Sequence, residues 1–134
     1  MFKYQFRWDT VWGSLDFIMS GLQMTLVVSA ITLVLAMVGG LLLALLDMSR
    51  FRVLRWIGVS LGEIIRNTPI LVQLLWVYYV LPIVFGLRIE ALTALIIGLS
   101  VYQAAFISEV YRAGIQAVPK GHREAAQVLG LTPV

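Results

Sequence analysis

The chain has 134 residues, a length suited to one domain. Hydrophobic residues make up 60% and charged residues 13%, a balance too apolar for an ordinary soluble domain. The net charge of +3 is spread around apolar runs instead of forming one basic patch, which argues against a nucleic-acid partner. The absence of cysteine excludes a disulfide framework, a thiolate metal site and a cysteine nucleophile.

Residues 1–21 read as an N-terminal interfacial segment. Trp8, Trp12, Leu15 and Met19 recur at three- and four-residue spacing, while Asp9 and Asp16 fall elsewhere. This predicts an amphipathic helix with its tryptophans at headgroup depth. No continuous apolar core precedes the first span, so the segment is a poor secretory signal.

Leu22 to Leu46 holds 25 residues without a charge. As a helix it is roughly 38 Å long, enough to cross a hydrocarbon core of ~30 Å with some tilt. Within it Ala36, Gly40 and Ala44 share one face. Small residues so spaced let a neighbouring helix approach closely, either within one subunit or between subunits. Residues 47–66 form a loop carrying Arg50, Arg52, Arg55 and Arg66.

A second span is predicted over 67–87, bracketed by Arg66 and Arg88, with Pro69 and Pro82 near its ends. Asn67 or Thr68 can cap a helix beginning at Pro69. Gln73 lies one turn inside, where an amide either hydrogen-bonds another helix or contacts a ligand. The third span is predicted over 91–108, between Glu90 and Glu109. At its end Glu109 and Arg112 stand three apart and can pair as an interfacial anchor.

Residues 109–134 complete the chain. Helix is expected to continue to Val118 before Pro119, Lys120 and Gly121 break it. His122 to Leu129 can then form two turns, too few to be stable alone in water. Ala125 and Ala126 permit close approach of a partner surface, and Gly130 suits the residue that closes the helix. The same short helix can instead rest on its own subunit or on the membrane. Thr132 and Pro133 make a helix start with no helix behind it, so the chain is expected to be cut short there.

Lys and Arg counts set the orientation. Arg50, Arg52, Arg55, Arg66, Arg112, Lys120 and Arg123 lie on one side, and Lys3, Arg7 and Arg88 on the other. Seven against three predicts a cytoplasmic location for the first side and an N-terminus outside. His122 has no second His or carboxylate cluster to make a metal site. No nucleophile elbow, zinc-protease motif, phosphate-binding loop or paired carboxylates occur, so no catalytic residue is assigned. The residues thus predict an all-α membrane protein: three transmembrane helices, an N-terminal interfacial helix and a cytoplasmic helix.

Three ordered stretches carry a resemblance. "EAAQVLG", Glu124 to Gly130, with the preceding "EVYRAGIQAVPKGHREAA", resembles the EAA signature of the membrane subunits of bacterial ABC importers. "SGLQMTL" from Ser20 and "IIRNTPILVQLLWVYY" from Ile64 resemble the polar amino acid subgroup, the histidine, glutamine and glutamate permease type. The resemblance covers the chain from about Gly13 onward. It implies the N-terminal part of a five-span permease in the bacterial cytoplasmic membrane, with the EAA loop cytoplasmic. It also implies two ATPase subunits, a second permease subunit and an extracytoplasmic solute-binding protein as partners, with ATP and magnesium on the ATPase and no cofactor on this chain. The EAA segment would be a coupling helix: Glu124 meets a basic residue of the ATPase, Ala125 and Ala126 permit docking, and Gly121 and Gly130 flank the helix as its turns. Asn67, Thr68 and Gln73 are candidates for the substrate pathway. The rival reading is a small three-span membrane scaffold, or a fragment with no transport activity of its own.

Overall fold

The computed structural model describes residues 8–119, 121 and 128–130, which divide into two compact units, Met1–Ile31 and Thr32–Val134. In the first unit α1 (Trp8–Gly13) is followed after Ser14 by α2 (Leu15–Asp47), whose residues from Thr32 onward belong to the second unit. Ser14 marks a tightened turn, its N–H donating to Val11 O at 3.2 Å. Helix is therefore continuous through residue 21, where the hydropathy pattern placed the change from interface to span. Backbone bonding does not register that change, because a helix satisfies its own amides in either solvent.

The second unit continues with α3 (Arg52–Asn67), α4 (Ile70–Leu75), a π-turn (Trp76–Val80), α5 (Leu81–Phe85) and α6 (Ala91–Gln116). No strand occurs among the described residues. α6 packs against α3, α4 and the π-turn. What it buries is small: Ala94, Gly98, Ser100, Ala104, Ala105 and Ser108. The second-unit part of α2 likewise buries Ala36 and Ala44, while Leu33, Val34, Val38 and Leu42 are exposed. Large residues outside and small ones inside reverse the rule for water-soluble proteins. They suit a lipid solvent, in which adhesion comes from close backbone approach.

Gly40 shows how close the approach is. A methyl group added there would stand 2.8 Å from Ile107 Cγ2 and 3.0 Å from Ala104 O on α6. The Ala36, Gly40 and Ala44 face is thus a seam within this chain. Gly98 on α6 makes the same kind of approach to Leu74, whose Cδ2 would lie 2.6 Å from an added methyl.

Pro69 dictates the next feature. It forces Thr68 into extended backbone, φ −97° and ψ 127°, because its ring disfavours helix at the preceding residue. α3 stops there, and the chain re-enters helix at a bend of 105°. The expected cap does not form. Asn67 and Thr68 terminate α3, the Thr68 hydroxyl donates back to Ile64 O at 2.7 Å, and Pro69 itself is the uncapped N-cap of α4. A side chain facing back along α3 has no reach to the amides ahead of it.

Pro82 acts differently. Lacking an N–H and crowding the carbonyl one turn earlier, it is accommodated by widening the preceding turn, where Leu81 N–H donates to Trp76 O. The helix therefore carries on to Phe85, and Gly86 ends it in the left-handed region at φ 64°.

Two helices, α2 and α6, are long and apolar enough to cross a membrane; α3 with α4–α5 supplies a third only if the bent pair counts as one span. Ile70 to Phe85 alone is about 24 Å of helix, shorter than the 67–87 span expected, because Pro69 delays its start. α6 ends at Gln116, two residues before the expected Val118.

Candidate functional site

Charged residues gather where the end of α3 meets α6. Arg66, only 14% exposed, lies 3.0 Å from Glu63 and 3.2 Å from Glu109. Its Nη1 also donates to Ala105 O at 3.0 Å. That carbonyl is reachable because Ala105 is small and buried. Arg112 donates through Nε to Glu109 Oε2 at 2.9 Å. The Glu109 and Arg112 pair expected from their spacing is present, but it is one end of a longer chain from Asn67 through Glu63, Arg66 and Glu109 to Arg112. Hydrogen bonds from Arg66 and then from Asn67 hold the Glu63 carboxyl below the usual carboxylate range.

Glu63, Arg66, Glu109 and Arg112 line a cavity of about 520 Å³, together with Asp47, Met48, Arg55, Val59 and Gln116. Three carboxylates and three guanidinium groups face it, equal numbers of acidic and basic side chains. Asp47 is 8% exposed, and its buried Oδ1 has no hydrogen-bond partner. It sits under Gly58 of α3, where an added methyl would strike the carboxylate. Such a lining holds polar groups of either sign. Among the described residues no three His, Cys, Asp or Glu side chains are grouped to hold a metal ion.

The three pathway candidates separate. Thr68 and Gln73 share a second cavity, about 350 Å³, with Ile64, Ile65 and Trp76. Asn67 does not join them; its Nδ2 donates to Glu63 Oε2 at 3.1 Å. Gln73 Oε1 is buried without a hydrogen-bond partner, so the helix-to-helix bond expected of a lone amide is not made through that atom. Of the coupling segment, Glu124, Ala125 and Ala126 lie outside the described residues. Gly121 is exposed, and Gly130 adopts φ 79°, a backbone region that glycine enters without steric cost.

Sequence reasoning missed Arg66 and Asp47 as site residues. Arg66 had one local signal, its three-residue spacing from Glu63. Its partners on α6 depend on how the helices pack, and Asp47, the first charge after the uncharged run, carries no local signal of its burial.

Residues 36–134 match the family described as binding-protein-dependent transport system inner membrane component. The chain belongs to that family. It is 38% identical over 117 residues to the arginine transport system permease protein ArtQ of Bacillus subtilis (strain 168), covering 87% of this chain and 53% of the relative. It is 35% identical over 133 residues to the glutamine transport system permease protein GlnP of Escherichia coli (strain K12), covering 96% and 59%. A solved structure, described as the crystal structure of an amino acid ABC transporter with histidines, superposes with a TM-score of 0.88 at 36% identity, over 96% of this chain and 60% of that one. This inner membrane component is therefore related in sequence and fold to amino acid ABC permeases, and it spans somewhat over half the length of these relatives.

Proposed function

We propose that this chain acts as a membrane permease component of an amino acid importer, powered by ATP hydrolysis on partner ATPase subunits. A second permease subunit and an extracytoplasmic solute-binding protein complete the assembly, and the N-terminus faces outward. Kinship to ABC permeases and the excess of Lys and Arg on the loops beside the charged cavity support this reading. Polar amino acids are the cargo class favoured by the relatives' names.

One observation carries the mechanism: Arg66 fastens the end of α3 to the same helix, α6, that leads toward residues 121–130. Force applied at Glu124, Ala125 and Ala126 by an ATPase surface would pass along α6 to Glu109. From there it would pass through Arg66 to the bend at Pro69, next to the cavity holding Thr68 and Gln73. Gly121 and Gly130 would flank the coupling helix as its turns. ATP and magnesium stay on the ATPase, and this chain supplies packing and charge contacts only.

The test is co-purification and ATP-driven amino acid uptake in proteoliposomes, with the cognate ATPase and binding protein. Glu124→Lys or Ala125→Arg should abolish stable ATPase association and lower uptake at least tenfold, a loss of about 1.4 kcal/mol or more. Unchanged assembly and uptake would refute the coupling role. A stable protein that recruits no ATPase at all would favour the scaffold reading.

A further inference from the structure

The third helix does not have the composition of a span. Going round α3, Gly58 and Gly62 are buried, next to Asp47 and Arg66. Val53, Ile57, Leu61 and Ile64 form a second, exposed apolar stripe. Arg52, Trp56, Ser60 and Glu63 form a third, polar one, with Trp56 74% exposed. An apolar stripe beside a polar, tryptophan-bearing one is the pattern of a helix lying at a membrane surface.

The bend supports that placement independently. α3 turns by 105° into α4–α5, which packs through α4 and the π-turn against the membrane-length α6. A steeply crossing α4–α5 leaves α3 close to the membrane plane. At its start Arg50 and Arg52 are exposed and outside the lining of the charged cavity, and among the described residues neither forms an ion pair. Arg66, by contrast, is consumed by its contacts to Glu63, Glu109 and Ala105.

We infer that α3 is an interfacial helix that binds anionic phospholipid headgroups through Arg50 and Arg52. The apolar stripe enters the acyl-chain boundary and Trp56 sits among headgroups. The two guanidinium groups reach phosphates, for which their planar fork is well shaped. An anionic leaflet supplies the negative charge that Glu63 and Glu109, already paired with Arg66 and Arg112, do not. The inference does not depend on transport.

The chain contains no cysteine, so single spin labels at Leu61→Cys and Trp56→Cys, about 140° apart around the helix, report on the two stripes. In bilayers the label at 61 should be accessible to oxygen and the one at 56 to a water-soluble nickel chelate. Protection of both would mean that protein covers α3 and would overturn the placement. Lipid choice is read by native mass spectrometry of the unsubstituted protein released from equimolar phosphatidylglycerol and phosphatidylcholine. Phosphatidylglycerol should be retained roughly 25-fold over phosphatidylcholine, and Arg50→Gln and Arg52→Gln should each reduce that preference by about fivefold. Equal retention of the two lipids, or a preference unchanged by the substitutions, would refute headgroup binding. The lipid competition needs no substitution, so it decides the matter even where a variant fails to fold.

Discussion

Helices α3 and α6 touch each other and obey opposite rules. α6 is apolar over most of its length, with its charges confined to its end; it buries alanine, serine and glycine and turns Val101, Phe106 and Val110 outward. α3 separates glycine, large apolar and polar residues into three stripes. The first is solvated by hydrocarbon, where large side chains lose nothing by exposure and cohesion depends on backbones coming close. The second meets protein, acyl chains and headgroups at once, and its sequence is sorted accordingly. Where the two meet, charge replaces close packing, and Arg66 makes the joint.

Five substitutions test this contrast. Gly40→Leu should be the most damaging, because the seam between α2 and α6 has no room for even one methyl group; a loss of about 3 kcal/mol is expected from overpacking. Leu42→Ala, on the exposed side of the same helix, should stay within about 0.5 kcal/mol. Reversible unfolding in mixed micelles measures both, and equal effects would contradict the inside-out packing of these helices.

Arg66→Met comes next. It removes a charge-assisted bond to Ala105 O and strips Glu63 and Glu109 of a shared partner, which should cost about 2 kcal/mol. Arg112→Met removes a guanidinium that is 41% exposed and should cost less than about 1 kcal/mol. Under the proposed transport function, Arg66→Met should also lower uptake more than ATP hydrolysis. Equal losses in the two rates would leave Arg66 as a structural fastener only.

The smallest effect is one of pH. Glu63 is held below its ordinary carboxylate range by Arg66 first and Asn67 second. Its contribution to stability is therefore complete above that ordinary range and drains away as pH falls through the depressed folded value. Stability followed from neutral to acid pH should show this loss, reduced in Glu63→Gln. An identical acid profile in that variant would show that the bonds from Arg66 and Asn67 do not bias its titration.

Much of the fold was legible because it depends on short-range periodicity. The Ala36, Gly40 and Ala44 face is the seam with α6, and Glu109 pairs with Arg112 one helical turn away. The cap expected at Asn67 or Thr68 does not form for a reason of direction: Pro69 makes them the end of one helix instead of the cap of the next. The second span looked longer than its helix because an uncharged run records solvent preference, and the residues just before a proline count toward the run without being helical.

Sequence alone therefore determined the uncharged runs, the small-residue face and the local ion pair, since rise and turn per residue place neighbours at fixed spacing; the 16-residue helix α3 inside the expected 47–66 loop was not read from it. Tertiary structure alone decided that Arg66 reaches across 39 positions to Ala105, that Asp47 is buried beneath Gly58, and that Gln73 rather than Asn67 joins Thr68 at a cavity. Those contacts depend on the angle and register between helices. Angle and register come from how small residues and a proline let the helices meet, and no local spacing encodes them.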